Sequence, residues 1–131
     1  MQENNIFFNI IVPTKNRIST LKFTLKTIFN QNYKDYRVII LDNNSNDGTE
    51  EYIKSLNNNF IVYDKSHTDL RMNENWERAW KHCNNGYVTV VGDDDGLFPN
   101  ALNELNNFLK SNKTEIISWF PNCYHWLNVE N

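Results

Sequence analysis

Short runs rich in β-branched and aromatic residues alternate along the chain with segments in which apolar residues recur every three or four positions. The runs predict strands over residues 6–12, 36–41, 60–63, 87–92 and 115–120. The run over residues 36–41 is continuously apolar, as expected for a strand covered on both faces. Strands that alternate with helices are typical of an α/β fold with a mostly parallel sheet.

Helical spacing of apolar residues predicts two helices between the first three strands. The first presents one apolar stripe, formed by Ile18, Leu21, Leu25, Ile28 and Phe29. The second contains Thr49, Tyr52, Ile53 and Leu56. Asp47 and Glu50 have the spacing of a capping box at its start, so we interpret Asp47 as a helix cap.

Two further helices follow the third strand. One has Trp76, Ala79, Trp80 and Cys83 on a single face and ends at Asn85-Gly86. We expect both tryptophans to lie in the core rather than to form a sugar-stacking platform. The other helix begins after Pro99 and contains Leu102, Leu105, Phe108 and Leu109.

Polar segments follow three of the strands: residues 13–17 after a strand stopped by Pro13, residues 42–47, and the carboxylates of residues 93–95. Ligands of open α/β sheets bind outside the carboxyl ends of strands, so the three segments predict one pocket. Carboxylates about 6 Å apart repel each other by roughly 0.7 kcal/mol in water. A hard divalent cation would offset this repulsion. The alternative is that residues 93–95, called the acidic turn below, are simply solvated.

Composition narrows the possible functions. The chain of 131 residues is 40% hydrophobic, enough for one core, and we predict a single domain over residues 1–131. Thirteen basic and sixteen acidic residues are interspersed, which disfavours nucleic acid as a partner. Neither a GxGxxG nor a GxxxxGK[ST] motif is present. Without a long apolar stretch or an export signal, and with two isolated cysteines, we expect a cytoplasmic protein with no integral membrane segment.

Together these segments resemble family 2 glycosyltransferases of the GT-A fold. The matching motifs are IIVPTKNR (residues 10–17), ILDNNSNDGT (residues 40–49), Asn75 ahead of Gly86-Tyr87, and GDDD (residues 92–95). Each motif alone is weak, but their order and spacing cover nearly the whole chain up to the fourth helix. The resemblance implies a Rossmann-like three-layer α/β/α sandwich with a mostly parallel central sheet.

The resemblance also implies a site for a nucleotide-diphosphate sugar, most simply a UDP-sugar. Its implied nucleotide contacts are Pro13, Thr14, Asn16, Arg17, Asp42, Asn44, Arg71, Asn75, Asp93 and Asp94. Asp42 matches the acid that accepts a hydrogen bond from the base, and Asp93 and Asp95 match the ends of a DxD motif that binds Mn²⁺ or Mg²⁺. Thr14, Asn16 and Asn44 could instead be turn residues only.

The resemblance implies an inverting transfer to a glycan, lipid-linked or protein acceptor, and the protein could act at the inner face of the membrane. Family members usually carry the general base and the acceptor site in a second half, so we expect the base beyond Asn131. The alternative is a donor-half module that binds nucleotide and metal without turnover. A nucleotidyl- or phosphotransferase that uses the acidic turn is a third, weaker hypothesis.

Overall fold

The computed structural model describes residues 5–118. These form four strands, four α-helices and one 3₁₀ helix. Their bounds are β1 (Phe8–Thr14), α1 (Ile18–Phe29), β2 (Tyr36–Asp42), α2 (Thr49–Ser55), β3 (Ile61–Lys65), α3 (Met72–Glu77), the 3₁₀ helix (Arg78–His82), β4 (Tyr87–Val90) and α4 (Ala101–Ser111).

The four strands form one parallel sheet in the order β3-β2-β1-β4. β1 pairs with β2 along its whole length, from Phe8 opposite Tyr36 to Thr14 opposite Asp42. On its other side β1 pairs with β4 only as far as Ile11 opposite Val90. The predicted α/β class with a mostly parallel sheet is confirmed.

Helices cover the two faces of the sheet unequally. On one face α1, α2 and α4 pack against the even-numbered residues of β1 and β2, and Leu21, Leu25 and Ile28 of α1 have no accessible surface. On the other face the 3₁₀ helix contributes Ala79, which packs against Ile11, Ile39 and Leu41. The predicted three layers are therefore present, with a thin second layer.

Pro13 does not stop β1, contrary to the sequence prediction, because its missing N–H removes no ladder bond. The carbonyl of Ile11 accepts the N–H of Val91 (2.9 Å), so the backbone groups of the odd-numbered residues of β1 point toward β4. Pro13, two residues further along, points the same way but lies beyond the end of the β1–β4 pairing. Proline is tolerated where no N–H is needed, and the strand continues to Thr14.

The third helical segment differs from its prediction. It is a short α-helix that tightens into the 3₁₀ helix, and Ala79 and Cys83 face the sheet as expected. The prediction that Trp76 and Trp80 lie in the core is wrong, since Trp76 is 39% and Trp80 63% exposed. The i to i+4 spacing fits an α-helix, whereas a 3₁₀ helix repeats every three residues and turns Trp80 outward.

The capping box predicted at α2 does not form, because the N-cap of this helix is Gly48 and Asp47 lies one residue before it. Asp47 accepts hydrogen bonds from the N–H (3.2 Å) and hydroxyl (2.6 Å) of Thr49, the first residue of α2. Its other oxygen accepts the N–H of Ile18 at the start of α1 (2.9 Å). Glu50 does not reciprocate, because its carboxylate pairs with Lys54 and Lys65. Asp47 thus binds the first residues of two helices and ties the first two polar loops together.

The remaining predictions concern the end of the chain and the cysteines. Residues 115–118 form no strand, and residues 119 and 120 of that predicted strand lie outside the described range. Cys83 is a free, partly buried thiol, whereas Cys123 lies outside the described residues. Among residues 5–118, no helix is long and apolar enough to cross a bilayer.

A partly buried ionic cluster attaches the thin second layer to the sheet. Asp64 of β3 accepts hydrogen bonds from Arg78, Lys81 (2.8 Å) and His82 (2.9 Å), all in the 3₁₀ helix. Burial raises the pKa of Asp64, but hydrogen bonds from Lys81, His82 and Arg78 outweigh it and hold that pKa below its usual range. The carboxylate is therefore ionised at neutral pH and binds the 3₁₀ helix to β3.

We predict that Asp64→Asn lowers the free energy of unfolding by about 2 kcal/mol at pH 7, because it removes the charge-assisted hydrogen bonds that the partly buried carboxylate accepts from Arg78 and Lys81. Because folding lowers the pKa of Asp64, its stabilisation is present at neutral pH and is lost below about pH 4. Urea denaturation of the two proteins at several pH values measures this difference.

The matched control is Asp69→Asn, which removes a carboxylate from an ion pair with Lys15 (2.8 Å) whose aspartate side chain is 66% exposed. Exposed pairs contribute little, so this variant should lose clearly less free energy of unfolding than Asp64→Asn does. Equal losses in the two variants would contradict the structural role assigned to Asp64.

Candidate functional site

Three neighbouring strands deliver polar side chains to one edge of the sheet. Thr14 and Asp42 end β1 and β2 and are register partners. Asp93 follows β4, and its Oδ2 accepts the hydroxyl of Thr14 (2.8 Å). The acidic turn and the ends of β1 and β2 thus meet at the carboxyl edge, as the sequence predicted.

Asp93 is a buried carboxylate, with only 7% of its surface accessible. Desolvation raises its pKa above the ordinary aspartate value, against the opposing effects of the Thr14 hydroxyl and the Arg17 guanidinium. The neighbouring charge of Asp94 raises it further. The site therefore holds an acid whose charge is incompletely compensated, a property common among functional carboxylates.

Arg17 connects the first loop (residues 13–17) to the acidic turn. It stands at the start of α1, where a positive charge opposes the helix dipole. Its guanidinium lies 3.4 Å from Asp93 Oδ1 and 2.9 Å from Asp94 Oδ2. These ion pairs give Arg17 a reason to occupy an electrostatically unfavourable position, and they place a half-exposed cation over the acidic turn.

The acidic turn is anchored at both ends. Asp95 Oδ2 accepts the N–H of Gly92 (3.2 Å), and the carbonyl of Asp95 accepts the hydroxyl of Thr24 in α1 (2.7 Å). Gly92 has little room for a side chain, since an added Cβ would lie 2.7 Å from Asp95 Oδ2. The turn therefore closes over a glycine and leaves the Asp95 carboxylate exposed.

The donor chemistry of the turn fits a hard cation, because carboxylate oxygens are the ligands that Mg²⁺ and Mn²⁺ prefer. Asp95 is exposed at this edge, and Asp93 lies two residues before it with its oxygens directed to Thr14 and Arg17. In the part of the chain described, no three His, Cys, Asp or Glu side chains are gathered as a metal cluster. The predicted pair Asp93 and Asp95 would thus need further ligands, such as the oxygens of a diphosphate.

Asp42 is the most enclosed of the predicted contacts, with no accessible surface. Its Oδ1 accepts the N–H of Ser45 (2.8 Å) and its Oδ2 accepts the hydroxyl of Tyr63. Its carbonyl accepts the N–H of Ser66 (2.8 Å), which continues the β2–β3 ladder. The carboxylate is therefore held by the loop that follows β2 and by the neighbouring strand.

Asparagines shape the loops around Asp42. Asn16 and Asn44 adopt the left-handed conformation (φ 52° and 60°), which asparagine tolerates better than most residues. The Asn16 side chain accepts the N–H of Asn46 (2.8 Å), and its own N–H donates to Ser45 Oγ (2.9 Å). The Asn44 amide donates to Asp69 (3.0 Å). Both residues have the turn role that was the alternative in the sequence prediction.

Arg71 and Asn75 lie in the segment after β3. Arg71 is exposed at the start of α3, where its N–H donates to Glu74 (2.8 Å). Asn75 is buried, donates to the carbonyl of Leu41 (3.3 Å) and accepts from Arg78 (2.8 Å). These contacts make Asn75 a link between α3 and the end of β2, while the nucleotide contacts of both residues stay predictions.

Several residues of this edge were absent from the sequence prediction. Ser45, Tyr63 and Thr24 each donate to an aspartate of the candidate site. Ser45 lies within the matched motif and could have been proposed as a turn donor. Tyr63 and Thr24 occupy ordinary strand and helix positions, and only the tertiary packing brings them to the edge.

Because folding raises the pKa of Asp93, the contribution of this residue to stability falls as the pH rises from its unfolded pKa of about 3.9 through its folded pKa. The variant Asp93→Asn does not ionise. We predict that the free energy of unfolding of the variant minus that of the wild type increases with pH across this window, measured by urea denaturation.

Asp69→Asn supplies a control of opposite sign, because Lys15 and Asn44 lower the pKa of Asp69. For that pair of proteins the difference should fall as the pH rises. A decrease for Asp93→Asn as well would contradict a desolvated Asp93.

Comparison with known proteins places the chain among glycosyltransferases. Residues 9–125 match the family model described as glycosyl transferase family 2. The GalNAc(5)-diNAcBac-PP-undecaprenol beta-1,3-glucosyltransferase of Campylobacter jejuni is 33% identical over an alignment of 105 residues that covers 74% of this chain and 32% of that protein. Abequosyltransferase RfbV of Salmonella typhimurium is 32% identical over 111 residues, 81% of this chain and 33% of that protein.

Solved structures agree in fold. TarS of S. aureus, crystallised as residues 1–349 with UDP-GlcNAc, superimposes with a TM-score of 0.74 at 20% identity over 81% of this chain and 32% of that one. The mannosyltransferase PcManGT of Pyrobaculum calidifontis, in complex with GDP-Man and Mn²⁺, gives 0.68 at 20% identity over 79% and 32%. The chain spans about a third of the length of these curated relatives and structures. It has the GT-A fold and belongs to glycosyl transferase family 2.

Proposed function

We propose that this chain is the donor-binding portion of an inverting glycosyltransferase that moves a sugar from a UDP-sugar to a glycan, lipid-linked or protein acceptor. One observation carries the proposal: Thr14, Asp42 and Asp93 come from three strands and meet at one edge of the sheet. This is the edge where parallel α/β sheets bind ligands. Membership in glycosyl transferase family 2 supports the same chemistry.

The nucleoside would bind between the first two loops. In this proposal Asp42 accepts a hydrogen bond from the base, while Pro13, Thr14 and Asn16 border the nucleotide on the side of β1. Asn44 lies across from them in the second loop, where it is tied to Asp69. The crosslinks among these loops hold their backbones in place, which limits the ordering cost of binding. Asp42 has no accessible surface in this structure, so the loop over it must shift to admit the base.

The diphosphate would lie over the acidic turn. Arg17 is the cation nearest this turn and would pair with phosphate oxygens, with Arg71 and Asn75 on the side of α3. A divalent cation bound by Asp95 and Asp93 would neutralise charge on the diphosphate as the sugar–phosphate bond breaks. Asp94 would keep Arg17 oriented, because their ion pair is the shorter of the two that Arg17 makes in the turn.

The names of relatives indicate a range of acceptors. The C. jejuni relative is named for an undecaprenol-linked glycan, and another relative, TarP of Staphylococcus aureus, is a poly(ribitol-phosphate) beta-N-acetylglucosaminyltransferase that is 31% identical over 115 residues. We propose an acceptor of this kind, a growing glycan or a lipid-linked saccharide. It would approach the sugar from the side opposite the diphosphate, which gives inversion.

A module that binds the donor without turnover is the second candidate. It is favoured by the site itself, because Asp42, Asp93 and Asp95 are all assigned above to the base or the cation and none to activation of the acceptor. A radiolabelled UDP-sugar panel distinguishes the two. Transfer to an added acceptor, or hydrolysis above the uncatalysed rate, supports the enzyme, whereas donor binding with neither supports the binding module.

We predict that UDP with Mn²⁺ raises the melting temperature of the protein, since ligand at 100 times its Kd stabilises the native state by about 2.7 kcal/mol. UDP alone should give a smaller shift. Asp95→Ala should abolish the Mn²⁺-dependent part, because it removes the exposed carboxylate of the turn. Differential scanning fluorimetry with and without EDTA measures these shifts.

Asp35→Ala is the control, because Asp35 immediately precedes β2, at the opposite end of the strand from Asp42. It should keep the full Mn²⁺-dependent shift. An unchanged shift in Asp95→Ala would refute the metal assignment, and no shift of the wild type with any nucleoside diphosphate would refute donor binding.

A further inference from the structure

Tyr63 lies outside the matched sequence motifs, yet it makes a contact with the candidate site. It lies in β3, which β2 and β1 separate from the strand before the acidic turn. Its ring is partly buried against the core beneath α1, α2 and α4. Its hydroxyl reaches the carboxyl edge and donates to Asp42 Oδ2. A core residue thus supplies a hydrogen bond to the aspartate proposed to meet the base.

Asp42 depends on two donors for its orientation. One oxygen accepts the backbone N–H of Ser45 (2.8 Å), and the other accepts the Tyr63 hydroxyl. Because Asp42 has no accessible surface, bulk water does not replace these donors. The Ser45 donor is part of the main chain, so Tyr63 supplies the one side-chain donor among these two contacts.

The hydroxyl of Tyr63 remains a donor across the working pH range. Desolvation raises its pKa, and the hydrogen bond to Asp42 and the charge of that carboxylate raise it further. An ionised carboxylate accepts hydrogen bonds only, and its two oxygens offer about four lone-pair positions. With one position on each oxygen occupied, the plane of the carboxylate is fixed and the remaining lone pairs have defined directions.

We propose that Tyr63 is a positioning residue that holds the Asp42 carboxylate for the N3–H of uracil, and that it thereby sets a preference for uracil over cytosine. This inference rests on the proposed function. Uracil presents an N–H donor at N3, whereas cytosine presents a lone pair there that a fixed carboxylate repels. A site built around a substrate N–H discriminates against an analogue that lacks it, provided that the acceptor cannot turn away.

Loss of the hydroxyl would release this acceptor. In Tyr63→Phe the ring remains to fill its place in the core, but Asp42 Oδ2 lacks its donor. A buried charge without its donor is costly, so the carboxylate should rotate toward other hydrogen-bond donors. Uracil would then meet a mispositioned acceptor, and cytosine would lose its repulsion.

The experiment measures the Kd of UDP and of CDP in the presence of Mn²⁺ by isothermal titration calorimetry for the wild type and Tyr63→Phe. The wild type should bind UDP more tightly than CDP. The variant should bind UDP about tenfold more weakly, the effect of one hydrogen bond to a charged group. Its affinity for CDP should stay the same or increase, so that the preference for UDP narrows by at least the same factor.

Tyr52→Phe is the matched control, because it removes the hydroxyl of another partly buried tyrosine, on α2, whose ring lies beneath Lys22 Nζ (5.0 Å). It should retain wild-type affinities for both nucleotides. Thermal unfolding of both variants without ligand measures any loss of stability. The ratio of the Kd values for UDP and CDP is a separate measurement, because a purely structural role of Tyr63 would leave that ratio unchanged.

Equal weakening of UDP and CDP in Tyr63→Phe, or an unchanged or improved affinity for UDP, overturns the positioning role while donor binding stands. A wild type that binds UDP and CDP equally also overturns it. A wild type that binds no nucleoside diphosphate refutes the proposed function itself, and the inference with it.

Discussion

The site depends on the parallel pairing of β1 with a neighbour on each side. Since β2, β1 and β4 run in the same direction, their carboxyl ends reach one edge, and the register sets Thr14 opposite Asp42. A slip of one residue would turn either side chain to the other face of the sheet. The burial of Ile10, Val12 and Ile40 on the face under α1 holds the register, so the core that stabilises the fold also aligns the polar residues of the edge.

Two kinds of carboxylate serve different purposes in this molecule. Asp64 is neutralised by three basic side chains and fastens the 3₁₀ helix to the sheet. Asp42 receives its two hydrogen bonds from uncharged donors, and Asp93 has a neutral hydroxyl as its nearest partner. Asp93 is also paired with Arg17 (3.4 Å), but it has one cation where Asp64 has three basic partners. A carboxylate held mainly by neutral donors keeps more of its charge uncompensated, and that charge can act on a ligand.

Residue spacing and the positions of strand ends were enough to predict much of the fold and the centre of the site. The stripe of α1, the parallel sheet and the meeting of Thr14, Asp42 and Asp93 required only periodicity and the rule that parallel strands end together. The predictions failed where tertiary contacts decide the outcome. Trp80 is exposed because the helix tightens before it, and β1 continues past Pro13 because the neighbouring strand has already ended. Tyr63 could not be identified, since an aromatic strand residue is ordinarily interpreted as core.

The unequal lengths of the strands divide the edge into a firm part and an adaptable part. Thr14 and Asp42 are carried by the two seven-residue inner strands, whereas Asp93 follows a four-residue strand paired on a single side among the described residues. Native-state fluctuations concentrate where a backbone has fewer packed neighbours. The end that would meet the base is thus held by backbone pairing on both sides. The end that would meet the phosphates relies on side-chain contacts with Thr14, Arg17 and Thr24, and it should open more readily once a ligand competes for those contacts.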